Sequence, residues 1–443
     1  MSTIPSYHRI WKLSYPIILS LLAQNIIAVT DTAFLGRVGE VELGASAIGG
    51  LFYYVLFMIG FGFGTGAQIL IGRRNGEKQF GEIGRIFDQT IYVFVAIGVF
   101  LLFAIYFGGP LFFKTFVSSP KIYEASVTFI NYRVWGIFFA FFNVAFRAFY
   151  VGITSTRLLT YSAIIMAVAN IFLDYAMIFG HFGFPEMGIA GAALASSISE
   201  GIAAAFFFIA TFSNKKLKQF QLFRFPKFDK DIIIKSWNLS VFIMLQNFVS
   251  LAAWFAFFLI IEQIGERPLA ISNIMRSIYM LLMLHIWAFS ATTSTLVSNT
   301  LGEGHSKNVP AIIGRVNKIS TLLTLIIMGI ALLMPEILIR IYTNVPDLIE
   351  SSREVFYVVI LALLPLALAV NWFSGIAGTG NTKIALIVEV AAITLYLVYV
   401  YYITFIVKAS LSVIWTSEFV YSLLLGILSW LYIKSGKWEK TKV

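Results

Sequence analysis

The sequence predicts an all-α integral membrane protein of twelve transmembrane helices in two parallel six-helix repeats. Three observations predict it: apolar runs too long for a soluble core, basic residues gathered on alternate connections, and an internal repeat offset by 226 positions. Hydrophobic residues make up 59% of the chain and charged residues only 12%, against roughly 45–50% and about 25% in soluble domains. Runs such as 86–107 and 315–338 exceed the roughly 20 residues a helix needs to cross about 30 Å of hydrocarbon. Twelve spans fit, near 10–36, 44–71, 86–107, 125–151, 156–180, 187–213, 235–262, 269–300, 315–338, 354–376, 383–407 and 410–433. The opening stretch MSTIPSYHRIWKLSYP has no short apolar region followed by a small-residue cleavage site, so the first span is expected to be retained. Cysteine is absent, which excludes disulfides and thiolate metal sites.

A net charge of +10 invites a nucleic-acid reading, but its distribution argues for membrane topology instead. With the N-terminus placed inside, 23 of the 32 lysines and arginines fall on the same side and seven on the other, with Arg133 and Arg276 inside spans. Short loops rich in Lys and Arg stay cytoplasmic. Both termini are therefore expected in the cytoplasm, in the cytoplasmic (inner) membrane of the cell.

The longest basic, weakly hydrophobic interruption is 214–234, near the midpoint. It divides the chain into an N-lobe (1–213), a linker (214–234) and a C-lobe (235–443). A shift of 226 brings Trp11 and Ser14 onto Trp237 and Ser240, Gly39-Glu40 onto Gly265-Glu266, Tyr53 onto Tyr279, and Gly76-Glu77 onto Gly302-Glu303; later it brings Gly152 onto Gly378 and Arg157 onto Lys383. Six spans per half make the repeats parallel, and such repeats rock against each other around a central cavity. That organisation points to a secondary transporter.

Carboxylates and amides inside spans need a reason to be there, because hydrocarbon offers them no partner. Asp31 lies near the outer end of the first span, seven residues after Gln24 and on the same helical face. Asn170 and Asp174, at i and i+4 in the fifth span, point an amide and a carboxylate to one place. The 226 shift carries Asp31, Asn170 and Asp174 to Phe257, Tyr396 and Val400, so the acidic chemistry is confined to the N-lobe. Glu200 differs, since Ser-Ile-Ser-Glu200 has a counterpart in Trp-Thr-Ser-Glu418, which favours a role common to both lobes. Pro16 removes a backbone donor inside the first helix and marks a candidate hinge. Gly60, Gly62, Gly64 and Gly66 favour close helix approach.

TDTAFLGRVG (30–39) after a proline-containing first helix, GTGAQILIGRRNGE (64–77), NIFLDYAMIFG (170–180) and SGIAGTGNTK (374–383) together resemble the multidrug and toxic compound extrusion (MATE) family over essentially the whole chain. The resemblance implies a two-lobed antiporter that expels organic, often cationic, compounds using a proton or sodium gradient. It implies that Asp31 is a coupling residue and that Asn170 and Asp174 line an N-lobe cavity with a hydroxyl of the sixth span, matched here by Ser196. At this site the pattern is nearer the DinF-like than the NorM-like branch. Where NorM-like proteins carry a glutamate in the seventh span, after a segment like Leu245-Gln-Asn-Phe248, this chain has Ser250.

The coupling-ion and substrate residues expected are thus Asp31, Asp174, Asn170, Gln24, Ser196 and Glu200, with Pro16 as hinge. The coupling ion is read as a proton, with sodium as the alternative. No cofactor, catalytic residue or metal site is expected. Four scattered histidines form no metal pair or triad, and Gly378-Thr-Gly-Asn-Thr-Lys383 lacks the order of a phosphate loop. The partners expected are small-molecule substrates and the lipid bilayer, without nucleic acid, the chain acting as a monomer. The competing reading is a lipid-linked saccharide flippase of the same wider superfamily, which would favour a strongly basic cavity. An intramembrane transferase would require an aspartate-rich metal motif or an in-span catalytic histidine.

Overall fold

The computed structural model describes residues 4–440. Its helices are α1 (Tyr7–Val38), α2 (Glu40–Gly76), α3 (Phe80–Phe116), α4 (Pro120–Arg133), α5 (Gly136–Gly152), α6 (Arg157–Phe179), α7 (Ile189–Ser213), α8 (Lys230–Glu262), α9 (Glu266–Gly302), α10 (Val309–Leu333), α11 (Pro335–Arg340), α12 (Pro346–Gly378), α13 (Thr382–Tyr401), α14 (Leu411–Trp415) and α15 (Ser417–Lys434). Eleven helical stretches among the described residues are long and apolar enough to cross a membrane, and the bent pair α4 and α5 supplies a twelfth span. The helices begin and end where local chemistry dictates. Prolines open α4, α11 and α12, where the missing N–H is no loss. Gly180, at φ +71, closes α6 in the left-handed conformation that glycine adopts without penalty.

Helix boundaries carry the repeat. Both ends of α2 recur in α9 at an offset of 226, and the start of α4 and end of α5 recur at the two ends of α12. The span expected as one helix over 125–151 is instead broken and bent by 51° between Arg133 and Gly136, whereas α12 runs unbroken at that level.

The glycine series of α2 serves two faces. Cβ atoms on Gly60 and Gly64 would lie 2.2 and 2.3 Å from Phe141 and Val144 of α5; on Gly62 and Gly66 they would lie 2.6 and 2.0 Å from Met244 and Ser240 of α8. Glycines four apart thus let two helices approach α2 at backbone distance.

The chain divides into two compact units, one comprising Tyr15–Met244, the other running from Leu245 onward together with the first turns of α1 through Ser14. Within the second unit, Ser14 Oγ donates to Thr292 Oγ1 at 2.9 Å, and Arg315 donates to the carbonyls of Ile4 and Pro5. Within the first, Ser240 Oγ donates to the carbonyl of Phe63 at 3.1 Å. Ser14 and Ser240 are repeat equivalents, as are Thr292 and Gly66, so each half's opening helix begins against the second helix of the other half's sequence.

The basic linker is a strap held on α3. The fully buried Asp88 accepts the backbone N–H groups of Phe223 (2.8 Å) and Phe225 (2.9 Å). Gln89 pairs with Lys227 and Asp229 backbone groups, and Arg85 forms an ion pair with Asp229. Gln221, Phe223 and Phe225 all have positive φ, an unfavourable region for bulky residues, and Asp88 holds the backbone N–H groups of the latter two. A Cβ on Gly84 would meet the Phe220 carbonyl at 2.0 Å, so the strap lies against bare backbone. Charge-assisted hydrogen bonds contribute about 1.5–3 kcal/mol each, and ~1.4 kcal/mol is tenfold. Asp88→Ala is therefore expected to speed amide hydrogen exchange of Phe223 and Phe225 by at least about tenfold, with α3 itself unchanged.

Candidate functional site

The T-D-T segment of α1 isolates its carboxylate. Thr30 and Thr32 return their hydroxyls to the carbonyls of Ile26 and Ala28, at 2.9 and 2.8 Å, so their polar atoms are satisfied within the helix. Asp31 is left to find its partners elsewhere. Ala23 packs with Ala163 and Ala167 of α6, small side chains that let α1 and α6 lie close, and Thr160 Oγ1 donates to the Pro16 carbonyl at 3.0 Å.

Further along the same two helices, Asp31 and Asp174 come within hydrogen-bonding reach, and Ser196 of α7 bonds Asp31. Asn170 and Asp174 are fully buried. In the amide orientation that satisfies donor and acceptors, Asn170 bridges the pair, donating to Asp31 Oδ1 at 2.9 Å and to Asp174 Oδ2 at 3.2 Å. Asp174 Oδ1 is buried with no hydrogen-bond partner. Leu35, Ile178 and Ile189, from neighbouring turns of α1, α6 and α7, join Ala45 of α2 and Phe129 of α4 in a buried apolar cluster.

Glu200, one turn beyond Ser196, faces Arg133, whose guanidinium donates to Oε2 at 2.8 Å and to Oε1 at 2.5 Å. Arg133 also lies over the Tyr53 ring, 3.9 Å from its centroid, and its charge acts on Asp31 as well. The pair lies against Gly136, the first residue of α5 after the break. A Cβ on Gly136 would sit 2.2 Å from Arg133 Nη1 and 2.9 Å from Glu200 Oε2.

Of the residues singled out from the sequence, the structure brings together Asp31, Asn170, Asp174 and Ser196, with Glu200 joined to them through Arg133. Gln24 lies two turns before Asp31, its amide meeting Ser20 Oγ at 3.4 Å. Pro16 sits within the continuous α1. Sequence reasoning missed Arg133 as a functional residue. The signal was available: an arginine and a glutamate both inside spans each require a partner.

The repeat equivalents Phe257, Tyr396 and Val400 also come together, in one hydrophobic cluster, with Phe257 and Tyr396 rings 6.1 Å apart. The juxtaposition of spans recurs in both halves; the carboxyl chemistry at that place belongs to the first.

Known proteins give the same architecture. The MatE family model matches the chain twice, over residues 16–176 and again over 243–403, an offset of 227 that reproduces the internal repeat to within one position. The chain belongs to the MatE family. A probable multidrug resistance protein NorM of Thermotoga maritima is 27% identical over 442 residues, covering 98% of this chain and 93% of that protein. The corresponding protein of Agrobacterium fabrum is 24% identical, over 80% of this chain and 78% of its own length. Among solved structures, a MATE protein in complex with MaL6 superposes with a TM-score of 0.91 at 16% identity, over 98% of this chain and 97% of that one. A MOP-superfamily transporter from Pyrococcus furiosus superposes with a TM-score of 0.90 at 16% identity, with the same coverage. As a MatE member the chain is a multi-pass membrane transport protein and not an enzyme.

Removing one partner of a buried ion pair strands the other, at about 3–5 kcal/mol. Arg133→Leu is accordingly expected to lower the thermal unfolding temperature of the detergent-purified protein markedly. Arg133→Leu combined with Glu200→Leu should recover most of that loss, and a double variant no more stable than the single one would refute the pairing as the cause.

Proposed function

We propose that this protein is a proton-coupled antiporter that exports organic compounds, predominantly cations, across the cytoplasmic membrane, with Asp31 and Asp174 as the coupling centre. The observation that carries the reading is the Asp31–Asn170–Asp174 bridge: two carboxyl groups on different helices within hydrogen-bonding reach, one fully buried, around a single donating amide. Multidrug resistance is what the NorM relatives are named for, and the acidic character of this site suits a positively charged cargo better than the anionic cargo of a flippase.

An ionised carboxylate only accepts hydrogen bonds. A direct Asp31–Asp174 contact therefore holds together with one proton between the two groups. In this protonated arrangement Asn170 donates to both carboxyls and Ser196 supports Asp31. Losing the proton would leave two anions facing each other, with Asp174 Oδ1 already lacking a partner, a state that calls for water or a cation. A cationic substrate meets that demand, and a returning proton displaces it. Substrate and proton thus compete for one site, which is the thermodynamic requirement for exchange, provided each binds the two access states with different affinity. Arg133 and Glu200 hold the neighbouring wall, and α1, passing Pro16, is the element that moves. The lobes that alternate are 1–213 and 235–443.

Asp31→Asn imitates the protonated group permanently. It is expected to reach the membrane in normal amounts, to export at least about tenfold less than wild type, the scale of one ~1.4 kcal/mol interaction, and to release no proton when substrate is added to reconstituted vesicles. Phe257→Leu, at the repeat-equivalent position, should keep both properties. Wild-type proton release from Asp31→Asn would exclude this residue from coupling. Export that persists without a proton gradient and depends wholly on sodium would replace the proton by sodium.

The topology has its own test. With both termini and the 214–234 strap cytoplasmic, a cysteine at Lys216→Cys should resist an impermeant thiol reagent added outside intact cells and react after permeabilisation. Rapid labelling of intact cells would invert the orientation.

A further inference from the structure

The second half has no counterpart of the Asp31 site, yet it buries two carboxyls of its own. Glu389 of α13 is 2% exposed and Glu418 of α15 is 5% exposed. Glu389 Oε1 lies 2.7 Å from Ser250 Oγ and 2.9 Å from Tyr421 Oη, while its Oε2 is buried with no partner. Glu418 Oε2 accepts from Tyr279 Oη at 3.2 Å, and Tyr396 bonds the same carboxyl. Tyr421 lies three residues after Glu418 on α15, on the same face, and its ring is 6.0 Å from that of Tyr396. Glu389 and Glu418 thus belong to one tyrosine-bridged cluster.

The repeat identifies what this cluster lacks. Glu200 corresponds to Glu418 and Tyr53 to Tyr279, and in the first half Arg133 stands between them as counter-ion. The 226 shift, which holds at both ends of the α4–α5 span, places Val359 where Arg133 stands. Val359 is fully buried and belongs to the same cluster as Tyr279, Tyr396 and Trp415. The groups that bear on the two carboxyls are hydroxyls from α8 (Ser250), α9 (Tyr279), α13 (Tyr396) and α15 (Tyr421); among the described residues no lysine, arginine or histidine is one of them. An unpaired charge at such a place is expensive, and neutralisation by a proton is the alternative.

The hydrogen inventory agrees. Ser250 has a single hydroxyl hydrogen but faces two acceptors, the Gln246 carbonyl at 3.0 Å and Glu389 at 2.7 Å. If Glu389 carries a proton on Oε1 and donates it to Ser250 Oγ, Ser250 donates in turn to the Gln246 carbonyl, and both contacts of Ser250 are kept. If Glu389 is ionised, Ser250 must abandon one of them.

We propose that Glu389 and Glu418 form a second proton-binding site, in the half of the protein that lacks the Asp31 pair. Both carboxyls are protonated when the cluster is dry. When water enters, each O–H bond breaks, the proton passes to water, and the carboxylate that remains is held by the hydroxyl hydrogens of Ser250 and the tyrosines. The occupancy of this site is independent of the coupling role assigned to Asp31; only its contribution to transport rests on that reading.

Infrared difference spectroscopy of the purified full-length protein tests protonation without transport. Glu389→Gln and Glu418→Gln preserve shape, and retained thermal stability confirms folding. Wild type at neutral pH should show protonated-carboxyl C=O bands, one missing from each variant, both declining on titration to high pH. Wild-type spectra identical to those of both variants across the titration would overturn the proposal. Bands that respond to sodium at fixed pH would also overturn it, in favour of a sodium site. In reconstituted vesicles, Glu389→Gln should lower the number of protons moved per substrate while leaving export measurable, whereas Asp31→Asn abolishes coupling. If the bands behave as expected but Asp31→Asn still couples normally, the second site stands and the Asp31 reading falls.

Discussion

Hydrocarbon gives a polar group nothing to bond with, and this constraint shapes every feature of the protein that bears on function. A charge or buried amide on a span needs a partner, and where another helix supplies it the pair acts as a fixed point around which helices are placed. Arg133 and Glu200 join α4 to α7 in this way. Asp31, Asn170 and Asp174 join α1 to α6. Where a hydroxyl has no external partner it returns to its own helix, as Thr30 and Thr32 do. At the break after Arg133, Gly136 leaves free the space that the guanidinium and the Glu200 carboxylate occupy.

The two halves share a scaffold and differ in chemistry. Helix boundaries recur at an offset of 226, and residues that meet in one half have equivalents that meet in the other. Onto this common frame the first half places a carboxyl pair and an ion pair, while the second places aromatic rings, a valine and two carboxyls bonded by tyrosine and serine hydroxyls. The repeat thus preserves the backbone frame while a few buried positions differ between the halves.

The connection between the halves is part of the structure. Asp88 and the α3 surface around Gly84 hold the strap through its backbone rather than through its basic side chains. The packing of this segment therefore rests on its main chain, which leaves its basic side chains out of the clamp.

The sequence by itself determined the class, the span count and the repeat, because hydrophobic length and periodic landmarks such as Trp11/Trp237 and Gly76/Gly302 are properties of the chain read locally. It also isolated Asp31, Asn170 and Asp174, because polar residues inside apolar runs are conspicuous and a shift by 226 shows which half has them. Only the tertiary structure decided their company. That Arg133 belongs to Glu200, that the 125–151 span is broken, that the midpoint linker is clamped by Asp88, and that Ser250 meets Glu389 all depend on contacts between residues 67 to 139 positions apart, or on a bend within the span. Spacing along one helix specifies which face a residue occupies; which other helix lies against that face is settled by the packing of glycine grooves and buried pairs in three dimensions.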